Sequence, residues 1–329
     1  MSRRARPVSP GPMIKSLLAP AVLLLAATAL PAAAPKHGPR WIVGVSQCNL
    51  GEPWRVQMNA DLLRAAEAHP EIELVFKDAQ NDTLRQRAQI EEFVNAEVDL
   101  LIVSPKEAAP LTPPVAAAFR QGIPVIVLDR KVLGSDYTQF IGADNRRIGR
   151  AAGDWAVRKL ASLPRVQARG RARIVELTGL MTSTPGQDRL AGFHAALKGQ
   201  PVDIVFSADT QWLEPQARTE MESALAVNPE IDLVYAHNDP SAHGAYLAAK
   251  AAGREKDIVF VGIDGLSQEG QVYVRRGLLS ASFEYPTGGR EAVESAAKIL
   301  AGGTVPKQVT LGSRFFTPDN IARGGDPLP

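Results

Sequence analysis

Asp, Asn, Arg and Trp recur in this chain where apolar, β-rich runs give way to polar residues. The stretches are 47–55, 104–107, Asp129 and Arg130, Asp144 and Asn145, 178–189, 209–212, His237 to Asp239, and Asp264 with Gly265. Such a mixture suits a hydroxyl-rich ligand. Each hydroxyl donates and accepts, so carboxylates take its proton, Arg and Asn donate to its oxygen, and a planar guanidinium spans neighbouring hydroxyls. Trp54 is placed to cover an apolar ring face with its indole; opening a helix as a core residue is the plainer role. Taken singly, Arg55, Asp129, Arg189, Asn238 and Asp264 also read as helix caps or ion pairs. As a set at strand ends they favour binding.

The elements that must position these groups read as alternating strands and helices. Strands are predicted over residues 42–45, 72–76, 100–103 and 125–128, rich in Val, Ile and Leu as suits strands buried on both faces. Thr83 and Gln86 have the spacing of a capping box, with Ile90, Phe93 and Val94 as the apolar stripe behind it. A second series is predicted over 139–143, 173–177, 204–207, 233–236 and 258–262, separated by helices, with Pro240 in the first turn of one of them. The alternation implies βαβ units and two parallel sheets in succession. In open parallel sheets a ligand sits outside the carboxyl ends of the strands, where the polar stretches fall.

The N-terminus reads as an export signal. Arg3, Arg4, Arg6 and Lys15 precede an apolar run from Leu17 to Leu30, and Ala32 to Ala34 offer small residues at a cleavage site. The run is about 14 residues where roughly 20 would span a bilayer. Removal of residues 1–34 leaves about 295 residues, more than one core usually serves. It also changes the charge: +2 for the whole chain, less four basic residues, leaves −2. A near-neutral body without a basic stripe argues against nucleic acid; the stretch from Arg165 to Arg173 reads as a solvated loop. Cys48, the single cysteine, cannot form an internal disulfide and reads as a small core residue.

Catalytic signatures are missing. No G-x-G-x-x-G follows a strand, and neither G-x-x-x-x-G-K-[ST] nor G-x-S-x-G occurs. His237 and His243, six apart, make with Asp239 only a fragment of a metal site. The expectation is a binder without metal, cofactor or catalysis.

At these residues the chain resembles the periplasmic sugar-binding proteins of bacterial ABC transporters, of the ribose and galactose type and closest to the galactofuranose-binding kind. The pieces that carry the resemblance are Val43-Gly44-Val45-Ser46-Gln47 with Trp54-Arg55, Ile123-Pro124-Val125 running into Leu128-Asp129-Arg130, and Ala143-Asp144-Asn145. Further on come Asp188-Arg189 before Gly192-Phe193, Tyr235-Ala236-His237-Asn238-Asp239, Ile263-Asp264-Gly265, and Glu284 before Tyr285-Pro286. The resemblance implies a periplasmic-binding-protein type I fold, an α/β chain of two Rossmann-like lobes with parallel sheets joined by a three-segment hinge. It sets the first lobe at 35–129 with 285–313 and the second at 130–284 with 314–329, the crossings lying near 129–131, 283–286 and 312–316. It places Trp54, Arg55, Glu107, Asp129, Arg130, Arg189, Asn238, Asp264 and Glu284 around a monosaccharide, a galactose- or galactofuranose-like aldose. It further implies a periplasmic monomer whose partners are the permease subunits of an ABC importer. A sugar-sensing module for a membrane kinase or chemoreceptor would use the same cleft. The chain departs from the family pattern at 48–53 and 182–186, which should flank the ligand, leaving the sugar and its ring form open.

Overall fold

The computed structural model describes residues 1–2, 34–36 and 38–328. The export signal expected over residues 1–34 lies, but for its ends, outside the described residues. The chain builds β1 (Trp41–Gln47), α1 (Pro53–Ala66), β2 (Ile72–Asp78), α2 (Thr83–Asn95), β3 (Leu100–Ser104), α3 (Ala108–Arg120), β4 (Val125–Leu128) and β5 (Gln139–Ala143). It continues with α4 (Asn145–Ala161), α5 (Pro164–Arg169), β6 (Ala172–Thr178), α6 (Thr184–Leu197), β7 (Val202–Asp209), α7 (Glu214–Val227), β8 (Leu233–Ala236), α8 (Asp239–Ala251), β9 (Val259–Asp264), α9 (Gly270–Arg275) and β10 (Ala281–Glu284). It then returns to the first lobe as α10 (Gly289–Leu300) and β11 (Gln308–Leu311), and ends in the second as β12 (Arg314–Phe316) and β13 (Asp326–Pro327). Among the described residues no helix is long and apolar enough to cross a membrane.

Two sheets result, ordered β11-β5-β4-β3-β1-β2 and β13-β12-β10-β9-β8-β6-β7. All pairings are parallel except those of β12 with β10 and β13. Strands inside the sheets are largely buried, and β3 and β4 are buried throughout. The edge strands β2 and β7 are only partly covered. Side chains of β3 alternate between faces: Leu100 and Ile102 join a hydrophobic cluster running through both lobes to Val261 and Phe283, while Leu101 and Val103 pack under α2 and α3 with Ile90, Phe93 and Leu111. Strand order reverses between β1 and β3 in one sheet and between β6 and β8 in the other. Those are the switch points at which such sheets bind ligands.

Two local expectations are corrected. The cap of α2 is Asp82, whose carboxylate accepts from the N–H of Leu84 and Arg85, not the box of Thr83 and Gln86. Gln86 is buried and donates to the Ser104 carbonyl at 2.9 Å. The second correction concerns residues 139–143, expected in the second series, so that the division at 129 and 130 assigned them to the second lobe. In the structure β5 pairs with β4 and β11 in the first sheet. A loop with no helix joins β4 to β5, so the strand–helix beat held no sign of which sheet β5 would enter. The first crossing therefore falls at Asp144, after β5, instead of near 129–131. The other two fall between β10 and α10 and between β11 and β12.

Helices α4 and α6 pack tightly in the second lobe. A Cβ on Gly149 would collide with the Arg189 backbone, and one on Gly192 with the Arg146 carbonyl. This close approach fixes the stretch of α6 that carries Arg189.

Candidate functional site

In the first lobe the switch point gathers a buried ion pair. Arg55, in the first turn of α1, donates through Nη1 to Asp129 Oδ2 at 2.5 Å and to Ser104 Oγ at 2.8 Å. Asp129 follows β4 in the left-handed region, at φ 70°, a conformation that costs energy outside glycine and is concentrated at functional sites. Burial pushes its carboxyl up. The charges of Arg55 and Arg130 and the hydroxyl of Tyr285 outweigh that and hold it below the usual carboxylate range. Arg130 donates through Nη1 to the Lys106 carbonyl at 2.9 Å and lies over the Trp212 ring, 5.6 Å from its centroid.

The second lobe supplies the facing wall. Arg189 Nε donates to Asn145 Oδ1 at 2.9 Å and its Nη1 to the His237 carbonyl. Its guanidinium lies 5.3 Å from the Trp212 centroid and 4.5 Å from that of Tyr285. Asn238 caps α8 by accepting from Ser241 N–H at 3.1 Å and donates to the Trp212 carbonyl at 2.9 Å. This holds a loop in which Gln211 and Trp212 both have positive φ, 53° and 71°. Asp264, at φ 135°, is buried with no side-chain hydrogen bond, and Arg189 is 3.9 Å away. Burial, together with Asp239 and Glu269, pushes the Asp264 carboxyl well up against the opposing charge of Arg189.

Tyr285, on the second crossing, joins the two walls. Its hydroxyl donates to Asp129 Oδ1 at 2.6 Å and accepts from Asn145 Nδ2 at 3.4 Å. Its carbonyl accepts the Trp54 indole N–H at 2.6 Å, and the two rings stack at 5.0 Å. These groups enclose a tight cavity of about 20 Å³. Entry of a ring therefore requires the lobes to part or Arg189 and Trp212 to move. Three buried N–H groups on this lining have no hydrogen-bond partner: Arg55 Nε, Arg130 Nε and Trp212 Nε1. A buried donor left unmade costs about 1–3 kcal/mol, so a ligand oxygen placed between them recovers that cost.

Trp54, Arg55, Asp129, Arg130, Arg189, Asn238 and Asp264 thus converge on one cavity. Glu107 does not line it. It sits at the N-cap of α3, where it accepts from Thr83 Oγ1 at 2.5 Å with Lys106 Nζ at 3.8 Å. Glu284 ends β10 and borders a different, larger cavity. Sequence reasoning did not single out Glu52, Pro185, Trp212 or Tyr285, which complete the lining. Trp212 closed one of the polar stretches and Tyr285 followed Glu284 in a quoted motif, but neither type declares a hinge or a ring contact by itself. His237 is buried beside Glu176 and His243 pairs with Glu214, so the two histidines face different neighbours.

Behind Asp264 lies a carboxyl cluster with a testable consequence. Glu269 is 8 % exposed. Burial, then the charges of Asp239 and Glu214, push its carboxyl up to about 8. A carboxyl raised on folding binds its proton more tightly in the folded state. Stability then falls as pH rises from the unfolded value, about 4.3, to about 8. The expected loss is on the order of 5 kcal/mol at most, about 1.4 kcal/mol for each unit between the two values. Glu269→Gln should be more stable than the parent at pH 8 and level with it at pH 4, measured by urea unfolding at both. Equal stability at pH 8 would refute the assignment.

Two lobes of doubly wound type, three crossings and a polar cavity walled from both switch points define a two-lobed solute receptor. The chain belongs to the periplasmic binding protein domain family, whose model matches residues 43–304. It is 30% identical over 290 residues to the galactofuranose-binding protein YtfQ of Escherichia coli K12, covering 84% of this chain and 88% of that one. It is 27% identical over 277 residues to the ribose import binding protein RbsB of Bacillus subtilis 168, covering 84% and 87%. Among solved structures, the fructose-binding periplasmic domain of a hybrid two-component system superposes with a TM-score of 0.81 at 40% identity, covering 86% of this chain and 93% of that one.

Proposed function

We propose that the protein is an exported receptor that captures a monosaccharide between its lobes in the periplasm and delivers it to an ABC importer, without catalysis. The observation that carries this reading is the cavity itself. In it, N–H donors of Arg55, Arg130 and Trp212 that make no hydrogen bond lie beside the carboxyls of Asp129 and Asp264, the donor–acceptor mixture that sugar hydroxyls require. The relatives that bind galactofuranose, ribose and fructose support an aldose or ketose, with a galactose- or galactofuranose-like aldose as our choice.

The mechanism is a population shift. The crossings at Asp144, 285–288 and 312–313 act as the hinge, and lobe-to-lobe hydrogen bonds mark closure. Ala108 N–H donates to the Thr182 carbonyl at 3.3 Å, Lys131 N–H to Thr184 Oγ1 at 2.9 Å and Gln268 Nε2 to Gln57 Oε1 at 2.8 Å. A sugar touching both walls binds the closed form better, and closure is the signal a membrane partner reads. A 100-fold preference supplies about 2.7 kcal/mol of bias.

Titration calorimetry of ligand-stripped protein against galactose, arabinose, ribose, glucose, xylose and furanose-rich sugars tests the proposal. Micromolar or tighter binding of one or two is expected, and silence from folded protein would overturn it. Trp54→Ala should weaken binding at least about tenfold, near 1.4 kcal/mol, through loss of its stack on Tyr285; an unchanged Kd would remove Trp54 from the site. A second reading, a sensory module feeding a membrane kinase, is favoured by the likeness to the periplasmic domain of a hybrid two-component system. Uptake of labelled sugar lost on deletion of the gene separates transport from sensing.

A further inference from the structure

A second cavity of about 560 Å³ adjoins the first, and Asp264 and Tyr285 border both. Its volume falls in the range of ligand pockets, roughly 300–1,000 Å³. The first lobe contributes one flank of α1, the second lobe the loop from β9 to α9, and the crossing at 285–288 forms the base. The hydrogen bond from Gln268 to Gln57 spans its walls at 2.8 Å.

The lining specifies what fits. Its carboxyl groups are Asp61, Asp264, Glu284 and Glu291, and its cations only Arg64 and Arg290. Both arginines already have partners, Arg64 with Asp61 at 3.4 Å and Arg290 with Glu291 at 2.8 Å. An anionic group would meet no unpaired cation in this lining. Neutral hydroxyls meet acceptors in those carboxyls and donors in the Gln57, Gln268 and Gln271 amides. Asp264 is buried and makes no side-chain hydrogen bond, and Tyr285 has its hydroxyl committed to Asp129. The shared border thus offers a carboxyl that makes no hydrogen bond, with Arg189 3.9 Å away, at the point where the two spaces meet.

We infer that the sugar site extends past Asp264 and Tyr285 into this cavity, so that beside a single ring the receptor takes sugars bearing a neutral, hydroxyl-rich substituent, disaccharides or glycosides. The inference rests on the sugar-receptor reading and deepens it. Joining the second ring covalently to the first makes its contacts intramolecular and raises their effective concentration.

The test pairs D-galactose with galactobiose, D-fructose with sucrose and D-ribose with a ribosyl-ribose disaccharide, in calorimetric titrations of the full mature chain. Digalacturonate serves as the anionic control. At least one disaccharide is expected to bind about tenfold or more tightly than its monosaccharide, and digalacturonate to show no such gain. Ser267→Trp, which fills the cavity from its exposed rim, should abolish the gain while monosaccharide affinity stays within twofold; its melting curve reports folding. Disaccharides that bind no better than their monosaccharides, or a gain that survives Ser267→Trp, would overturn the extension while leaving the receptor reading intact. If neither monosaccharides nor disaccharides bind folded protein, both fall together.

Discussion

Arg189→Ala is expected to weaken sugar binding by at least about tenfold, near 1.4 kcal/mol, in a protein that still folds. The side chain is 2 % exposed and acts as the brace of the second wall. Its Nε and Nη1 are spent on Asn145 and the His237 carbonyl, and its plane lies between Trp212 and Tyr285. Truncation strands two acceptors, takes the Arg189 charge away from Asp264 and removes one packing partner from each ring, leaving Trp54 on Tyr285 and Arg130 on Trp212. Hydrogen bonds involving a charged group are worth about 1.5–3 kcal/mol, so a tenfold loss is the lower end of what the geometry allows. Arg189→Lys keeps the charge but not the fork that reaches Asn145 and His237 together, and should recover only part of the affinity. Calorimetry on both variants, with thermal melts, checks this. An unchanged Kd in a folded Arg189→Ala protein would remove the second wall from the site.

Much of the fold was legible because burial on both faces leaves continuous Val, Ile and Leu runs, as in 100–103 and 125–128. What was not legible was membership. The segment 139–143 has the composition of a buried strand wherever it pairs, and its neighbours β4 and β11 are set by a loop and by a return of the chain more than 160 residues later. No local pattern encodes that. The capping box at Thr83 failed for a related reason: Asp82, one residue earlier, is the better acceptor for free N–H groups, and burial claimed Gln86 for the Ser104 carbonyl.

The candidate site follows from strand ends, and Arg55, Asp129, Asn238 and Asp264, fixed there by topology, share one cavity. Glu107 shows the limit. It stands at a strand end too, but as the N-cap of α3 its carboxylate turns to Thr83. Trp212 and Tyr285 show the converse. The first reaches the cavity by way of two left-handed residues in a loop, the second by lying on a crossing between lobes. Neither cause leaves a mark in residue type or spacing.

Asp129→Ala should destabilise the folded protein by about 3–5 kcal/mol, the cost of breaking a buried pair from one side. Arg55 would stay buried at 2 % exposure with its charge facing Ser104, the Trp54 ring and, at 3.8 Å, Glu52. The Tyr285 hydroxyl would lose its shorter bond to the carboxylate and keep only the Asp129 carbonyl at 3.1 Å. Asp129→Asn, which keeps an oxygen for Tyr285 but no charge for Arg55, should fall between the two. Removing both charges with Arg55→Met and Asp129→Ala should be less harmful than Asp129→Ala alone, because no unpaired ion remains. The pH dependence has a defined sign. A carboxyl held below its ordinary value stabilises the fold above its unfolded value, about 3.9, and that contribution disappears as pH falls through the lower folded value. Urea unfolding at pH 7 and at pH 3 measures both effects. A double variant as unstable as Asp129→Ala would show that the pair is not the source of the loss, and that Tyr285 and the crossing it anchors are.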